Sequence, residues 1–308
     1  MKFISSDKKT TIYGKIWQPK NKAVGMIQLV HGITEHIGRY EDVATYFTKR
    51  GFIVFGIDVI GHGKSLYAGK IKGYFGKEGS FQNVVADVYQ SYLIMTKKYP
   101  DLPCYMIGFS MGSFITRMIL IEKNKELDLK GCFLLGTGTQ PLLVLKIIRF
   151  IVKQHGNKIG EDNYSKLIDS LAFDNYNKKF PDPQSNIDWL LANKKERNIY
   201  LNDALCLKHV SVGLFRELLS GMIFCCQKDH KIKIDFPIYL LSGKNDAVGD
   251  FGKGIVKTVA LMKKQGVENI EYVLFDNMRH DILHEEHRDD ILTYIEGCIS
   301  NGKEIDES

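Results

Sequence analysis

Short apolar runs alternate with longer amphipathic stretches along most of the chain, which predicts strands that alternate with helices. The runs carry few charges, as expected of strands covered on both faces, and they lie at residues 23–30, 52–58, 104–107, 131–136, 237–242 and 269–275. Helices are predicted between them over residues 39–50, 80–99 and 251–265. Residues 2–17 alternate polar and apolar side chains and predict an edge hairpin. The pattern therefore predicts an α/β fold whose mostly parallel central sheet is flanked by helices.

This alternation stops after residue 136 and resumes at residue 237. About a hundred residues of helical character inserted between two parallel strands predict a helical cap, or lid, after the sixth strand. We assign residues 1–138 and 237–308 to the core domain and residues 139–236 to the cap. One cap segment, residues 142–152, is apolar except for Lys146 and Arg149. We favour packing on the core or lining a pocket mouth for this segment, with transient contact with a membrane surface as the alternative.

The amino-acid composition limits which kinds of protein this chain can be. The 308 residues are 44% hydrophobic and 25% charged, which is typical of a globular protein. The net charge of +6 comes from scattered lysines, so we expect no nucleic-acid binding. No secretory signal and no apolar run of about 20 residues is evident. Six cysteines lie mostly in apolar segments without metal-type spacing, which indicates reduced thiols, a cytoplasmic protein and no metal site. The oligomeric state cannot be predicted.

A serine flanked by glycines joins a predicted strand to a predicted helix. The segment reads Gly108-Phe109-Ser110-Met111-Gly112. Such a turn strains the backbone of the serine, and only glycines two residues away leave room for it. Its hydroxyl would stand above the sheet at the positive end of a helix. A simple turn serine is the alternative, but the strand before it and the helix after it favour a nucleophile.

Two partners follow Ser110 in the order that a Ser-Asp-His triad requires. Asp246 lies just after the strand at 237–242, with Asp250 as a close competitor, and His280 lies just after the strand at 269–275. Strand-end loops of a parallel sheet meet at one edge, and this chain order differs from the two protease orders with the same chemistry. We predict that Ser110 attacks, His280 takes its proton and Asp246 orients the imidazole. His284 and His287 are assigned to the surface of the closing helix.

At these positions the sequence resembles the monoglyceride lipase and lysophospholipase branch of the α/β-hydrolases, grouped with serine aminopeptidase-like hydrolases. The resemblance extends from about residue 10 to 295 and is weaker in the cap, where it is limited to Asp188-Trp189-Leu190 and residues 200–206. It rests on the following residues: His31-Gly32-Ile33-Thr34-Glu35-His36 with Arg39-Tyr40, Asp58 with Gly61-His62-Gly63 and Ser65, Gly108 to Gly112, Ser242-Gly243 with Asp246, and Arg279-His280.

The resemblance implies a serine carboxylester hydrolase that acts on substrates with an acyl chain and needs no cofactor. Ser110, Asp246 and His280 match the triad, and the backbone N–H groups of Ile33 and Met111 match the oxyanion positions. The sequence departs from the family pattern at Phe109, where many members have His, and at Ile33, which is bulkier than usual. His31, Glu35, His36 and Arg39 are expected to have structural roles in the loop and at the helix start.

Three functions compete. The first is an esterase or lipase that cleaves small-molecule acyl esters such as monoacylglycerols or lysophospholipids. The second is an amidase or aminopeptidase, which needs an acidic subsite in the cap, and Glu161, Asp162 and Asp169 are candidates. The third is a hydrolase-fold protein that binds a small apolar ligand without turnover. We favour the first, because a binding protein does not need all three triad residues.

Overall fold

The computed structural model describes residues 1–306, with side chains described through residue 300. Its centre is an eight-stranded sheet in the order β1-β2-β4-β3-β5-β6-β7-β8. Strands β1 and β2 are antiparallel to their neighbours, and β3 to β8 are parallel to one another. The strands are β1 Lys2–Ile4, β2 Thr11–Trp17, β3 Gly25–Val30, β4 Phe52–Ile57, β5 Cys104–Phe109, β6 Leu129–Leu135, β7 Ile238–Gly243 and β8 Ile270–Phe275.

Ten α-helices surround this sheet in the described residues. They are α1 Glu41–Thr48, α2 Phe81–Lys98, α3 Met111–Glu122, α4 Leu142–Ile159, α5 Lys166–Asp169, α6 Asn175–Asn177, α7 Lys194–Asn202, α8 Val212–Cys225, α9 Lys253–Lys264 and α10 Arg288–Asp306. A 3₁₀ turn at Ile37–Tyr40 precedes α1, and a π-helical turn at Ser170–Asp174 lies between α5 and α6. No described helix combines the length and the apolar character that crossing a membrane requires.

The predicted α/β architecture is confirmed. Each predicted strand is present within two residues of its expected bounds, and the N-terminal segment forms the antiparallel hairpin at the sheet edge. The helix expected over residues 39–50 is shorter than predicted, because its first turn is the 3₁₀ turn. Between β6 and β7 the chain forms α4 to α8, while the division into core and cap domains stays a prediction.

Alternating side chains place the sheet between two apolar layers. In β5, Met106 packs into one buried cluster, which it shares with helices α2 and α3. Its neighbours Tyr105 and Ile107 point to the opposite cluster, which contains residues of α1 and α10. This period of two is the geometry of a strand covered on both faces. The carboxyl end of β5 therefore emerges from the middle of the core, where Ser110 follows it.

Candidate active site

The backbone at Ser110 is strained. Its φ of 51° and ψ of −116° lie in a region of backbone conformation that residues other than glycine rarely adopt. The turn is held by the Ser110 N–H, which donates to the Leu135 carbonyl at 2.9 Å. A Cβ built at Gly108 would lie 2.5 Å from Thr116 Oγ1, and one at Gly112 would lie 2.1 Å from the Val30 carbonyl oxygen. Both glycines are therefore needed for the tight turn, as the sequence predicted.

Ser110, His280 and Asp246 form one hydrogen-bonded chain. The distance from His280 Nε2 to Ser110 Oγ is 2.8 Å, and the distance from His280 Nδ1 to Asp246 Oδ2 is 3.0 Å. The three side chains come from the loops after β5, β7 and β8. The structure thus brings together the three residues that the sequence singled out.

Asp246 is fully buried, and its carboxylate accepts several hydrogen bonds. Its carboxylate accepts hydrogen bonds from the Ser242 hydroxyl at 3.0 Å and from the backbone N–H groups of Val248 and Gly249 at 2.8 and 3.1 Å. Burial acts to raise the pKa of Asp246, but His280 and these donors outweigh it and hold the pKa below its usual value. The competitor Asp250 is partly exposed and lies 4.0 Å from Lys257 Nζ. Asp246 is therefore the carboxylate that reaches His280.

Two aromatic rings enclose the imidazole of His280. The Phe109 ring centroid lies 5.1 Å from that of His280, and the Trp189 centroid lies 5.6 Å from it on the segment between β6 and β7. Trp189 is 5% exposed, and its Nε1–H has no hydrogen-bond partner among the described residues. Phe109, the departure from the family pattern, thus helps to hold the histidine in an apolar setting.

The two backbone donors expected to face an oxyanion lie beside Ser110. Met111 is the first residue of α3, where backbone N–H groups lack a partner within the helix. Ile33 lies just after β3, and Ile33 and Ser110 line the same small cavity. Among the described residues, neither the Ile33 N–H nor the Met111 N–H has a backbone or side-chain acceptor outside its own helix or strand. Both N–H groups are therefore unpaired in the described part of the chain.

A buried ionic cluster supports the loop after β3. Glu35 accepts hydrogen bonds from the Gly32 N–H at 2.7 Å, from the Tyr40 hydroxyl at 2.8 Å and from Arg39 at 2.6 Å. Arg39 also contacts Asp281 at 3.3 Å. The structural roles expected for Glu35 and Arg39 are therefore confirmed: they tie the loop to the start of α1 and to the loop that carries His280.

His284 and His287 do not lie on the closing helix, so that prediction is wrong. Helix α10 begins only at Arg288. His284 is buried in the preceding loop, where Nδ1 lies 2.8 Å from Asp281 Oδ1 and Nε2 lies 3.1 Å from the Arg39 carbonyl oxygen. Arg39, which pairs with Asp281 of this loop, is 242 positions away in sequence, so local periodicity did not reveal this arrangement.

Two cavities meet at this end of the sheet. The smaller one leaves about 10 Å³ for water, roughly the space of one molecule. It is lined by Gly32, Ile33, Thr34, Glu35, Arg39, Phe109, Ser110, Trp189, Leu190, Tyr200 and His280. The larger cavity, of about 460 Å³, lies on the other side of Thr34, Trp189 and Tyr200, which line both. Helices and loops between β6 and β7 thus close the space in front of Ser110.

Two groups of potential metal ligands have other partners. His36, Asp203 and Cys206 lie close together, but His36 Nδ1 accepts from the Gly38 N–H at 3.1 Å, so its proton is on Nε2 and is directed to Asp203. A metal would need that Nε2 lone pair. Glu35, Asp281 and His284 form the second group, and the Arg39 guanidinium already pairs with both of its carboxylates. Hydrogen bonding and ion pairing explain both groups.

Comparisons with known proteins match one family model and several relatives. A family model described as serine aminopeptidase, S33, matches residues 21–287. Mouse monoglyceride lipase is 29% identical over 285 residues, which are 89% of this chain and 81% of the mouse protein. A monkeypox virus monoglyceride lipase homolog is 30% identical, over 51% of this chain and 61% of its own length.

A third relative is much longer than this chain. An uncharacterized abhydrolase domain-containing protein of Dictyostelium discoideum is 26% identical over 95% of this chain but only 28% of its own length. Among solved structures, a thermostable carboxyl esterase from Bacillus coagulans, in complex with glycerol, superposes with a TM-score of 0.87 at 24% identity and covers 97% of this chain and 98% of the esterase. The chain belongs to the serine aminopeptidase S33 family of α/β-hydrolases, within which it is similar to the monoglyceride lipases.

Proposed function

We propose that the protein is a serine hydrolase that cleaves carboxylic esters of acyl chains through an acyl-enzyme. The observation that carries this proposal is the hydrogen-bonded chain from Ser110 through His280 to Asp246. A serine hydroxyl is a weak nucleophile until a base takes its proton. The short distance from Ser110 Oγ to His280 Nε2 supports that proton transfer, and Asp246 stabilises the imidazolium that results.

In the proposed first step, Ser110 Oγ attacks the ester carbonyl carbon while its proton passes to His280 Nε2. The carbonyl oxygen becomes an oxyanion and accepts hydrogen bonds from the N–H groups of Ile33 and Met111. Collapse of the intermediate breaks the ester C–O bond, and His280 returns the proton to the departing alcohol. Water then attacks the acyl-serine by the same steps and releases the acid.

We propose that residues 139–236 act as a cap over this site. Trp189, Leu190 and Tyr200 belong to that segment and line the cavity in front of Ser110. An acyl ester needs far more space than about 10 Å³, so part of the segment must move before substrate binds. The larger cavity behind Trp189 and Tyr200 offers space for part of a substrate once the wall between them opens.

We further propose transient contact between helix α4 and an anionic membrane surface. Leu145 and Val152 bury one face of α4, but Leu143 is 70% exposed and Phe150 is 62% exposed on the other. Ile147 is also exposed, and no residue of α4 lines either cavity at Ser110. Lys146, Arg149 and Lys153 lie beside this apolar face and line one groove with Phe150. Glu78 pairs with Arg149 and Lys153, so this border keeps a net positive charge. An apolar face bordered by cations fits anionic lipid.

Two of the three acidic cap residues considered for the amidase alternative have side-chain partners, and the third, Asp162, is exposed. Glu161 pairs with Arg216, and Asp169 lies 2.8 Å from His209 Nδ1. These carboxylates therefore have partners other than a substrate amino group.

All six cysteines are free thiols, which supports the proposal of a cytoplasmic protein.

Hydrolysis of p-nitrophenyl esters with acyl chains of about two to sixteen carbons tests the proposed function. The wild type should release p-nitrophenol with a preference for one range of chain length, and Ser110→Ala should lose this turnover while it remains folded. Aminoacyl p-nitroanilides should be poor substrates. Absence of ester turnover in folded wild type, or full turnover in Ser110→Ala, would refute the proposal.

A further inference from the structure

His31 makes two hydrogen bonds that fix which of its ring nitrogens carries the proton. Its Nε2 lies 3.1 Å from the Val59 backbone nitrogen, and its Nδ1 lies 2.8 Å from the Gly32 carbonyl oxygen. The Val59 N–H can only donate, so Nε2 must be the acceptor. The proton of the neutral ring is therefore on Nδ1, and it is donated to the Gly32 carbonyl.

That carbonyl belongs to the same peptide group as the Ile33 N–H. In a trans peptide the C=O and N–H point in opposite directions within one plane, and the described residues contain no cis peptide. A hydrogen bond that fixes the direction of the Gly32 carbonyl therefore also fixes the direction of the Ile33 N–H.

The neighbouring peptide groups are fixed as well. The Gly32 N–H donates to Glu35 Oε1 at 2.7 Å, and the Ile33 carbonyl oxygen lies within hydrogen-bond distance of His62 Nε2. The peptide between Gly32 and Ile33 is thus the middle one of three that are held in place. Close packing at Gly112, whose Cβ would lie 2.8 Å from the His31 carbonyl oxygen, brings the start of α3 against the same segment.

We propose that His31 is a positioning residue for the oxyanion hole, because its Nδ1–H holds the Gly32 carbonyl and thereby directs the Ile33 N–H at the cavity of Ser110. This inference rests on the proposed function. His31 touches neither substrate nor Ser110 in this role and acts through one peptide group. Burial lowers the pKa of His31 to about 4, so the ring is neutral and Nε2 stays unprotonated at neutral pH.

A matched pair of variants separates this role from simple packing. In His31→Asn the side-chain amide nitrogen lies where Nδ1 lies in histidine, so it can still donate to the Gly32 carbonyl. In His31→Gln the amide lies nearer the position of Nε2, so it can accept from the Val59 N–H but cannot replace the Nδ1 donor. The test requires two folded variants of similar stability, so their thermal unfolding midpoints should be close to each other.

Steady-state hydrolysis of one p-nitrophenyl ester is the readout. We expect kcat to fall by about 10- to 100-fold in His31→Gln, less than the about 10²–10³ that removal of an oxyanion donor costs, and only a few-fold in His31→Asn. KM should change little, because the oxyanion forms only in the transition state. Equal kcat in the two variants, or a larger loss in His31→Asn, would overturn the inference, whereas an inactive wild type would instead refute the proposed function.

A measurement on the wild type keeps the inference testable if both variants unfold. Nitrogen-15 NMR of the His31 ring should show a protonated Nδ1 and an unprotonated Nε2, unchanged between about pH 6 and 9. A proton on Nε2, or titration of His31 within that range, would overturn the inference.

Discussion

The indole of Trp189 lies against the imidazole of His280, with ring centroids 5.6 Å apart. The two residues are held together by the backbone around them: the Asp281 N–H donates to the Leu190 carbonyl at 2.9 Å, and Glu285 accepts from the N–H groups of Ala192 and Asn193 at 2.8 and 3.0 Å. The segment that carries Trp189 is thus fastened to the loop that carries His280. Its ring lines the small cavity in front of Ser110.

A ligand on Ser110 should therefore change the emission of Trp189. The chain has two tryptophans, so Trp17→Phe leaves Trp189 as the sole reporter. Covalent reaction with a fluorophosphonate should shift its emission, because the cavity leaves only about 10 Å³ of free space. The change should follow the extent of labelling and be absent in the Trp17→Phe, Ser110→Ala double variant. Stoichiometric labelling with unchanged emission would contradict the position that we assign to Trp189.

Loss of the Asp246 charge should reduce turnover far more than binding. In Asp246→Asn the imidazole loses its carboxylate partner, and we expect kcat to fall by about 10⁴, as it does when the triad Asp of a serine protease is replaced by Asn, with a small change in KM. Asp250→Asn is the matched control, and its kcat should stay within a few-fold of the wild-type value. A comparable loss in both variants would mean that the wrong carboxylate has been assigned.

The lowered pKa of Asp246 also predicts how stability depends on pH. A carboxyl group whose folded-state pKa is depressed adds stability above its unfolded pKa of about 4, and this addition is lost as pH falls through the lower folded-state pKa. The difference in free energy of unfolding between wild type and Asp246→Asn should therefore decrease as pH falls below about 4. Urea titrations across this range measure it, and a difference that grows on acidification would show the opposite sign.

The buried pair between Glu35 and Arg39 should matter more for stability than an exposed pair. Their side chains are 3% and 4% exposed, so Glu35→Ala leaves a guanidinium in the interior with less compensation. We expect the free energy of unfolding to fall by about 3–5 kcal/mol. Lys15→Ala, which breaks the exposed pair with Glu41, should cost less than about 1 kcal/mol. Similar losses in the two variants would mean that the buried cluster does not anchor the loop.

The exposed face of α4 predicts binding to anionic vesicles. Phe150→Glu removes an apolar contact and adds a repulsive charge, so affinity for vesicles of phosphatidylcholine and phosphatidylglycerol should fall by about tenfold or more. Leu93→Glu is the control, because Leu93 is also exposed and apolar but lies on α2. Co-sedimentation measures both variants. No binding by the wild type, or equal losses in the two, would argue against α4 as the contact.

Local chemistry explains why the sheet and the Ser110, Asp246 and His280 positions could be predicted from sequence. Each of the three follows a strand whose apolar run is visible in the sequence, and the strand ends of a parallel sheet meet at one edge. The glycines at 108 and 112 reveal the tight turn because a Cβ at either position would clash.

Relationships between distant residues could not be predicted in the same way. Arg39 and Asp281 are 242 positions apart, so the sequence around His284 does not show that its imidazole also lies within hydrogen-bond distance of the Arg39 carbonyl oxygen. Trp189 reaches His280 through backbone contacts of a segment with little regular structure. The tautomer of His31 likewise depends on Val59, 28 positions away.

Covalent labelling with a fluorophosphonate tests the central claim most directly. Mass spectrometry of the labelled and digested wild type should find one adduct, on Ser110. Labelling should be abolished in Ser110→Ala and slowed by orders of magnitude in His280→Ala, because the base that activates the serine is missing. An adduct on another residue, or unchanged labelling in Ser110→Ala, would contradict the assignment of Ser110 as the nucleophile.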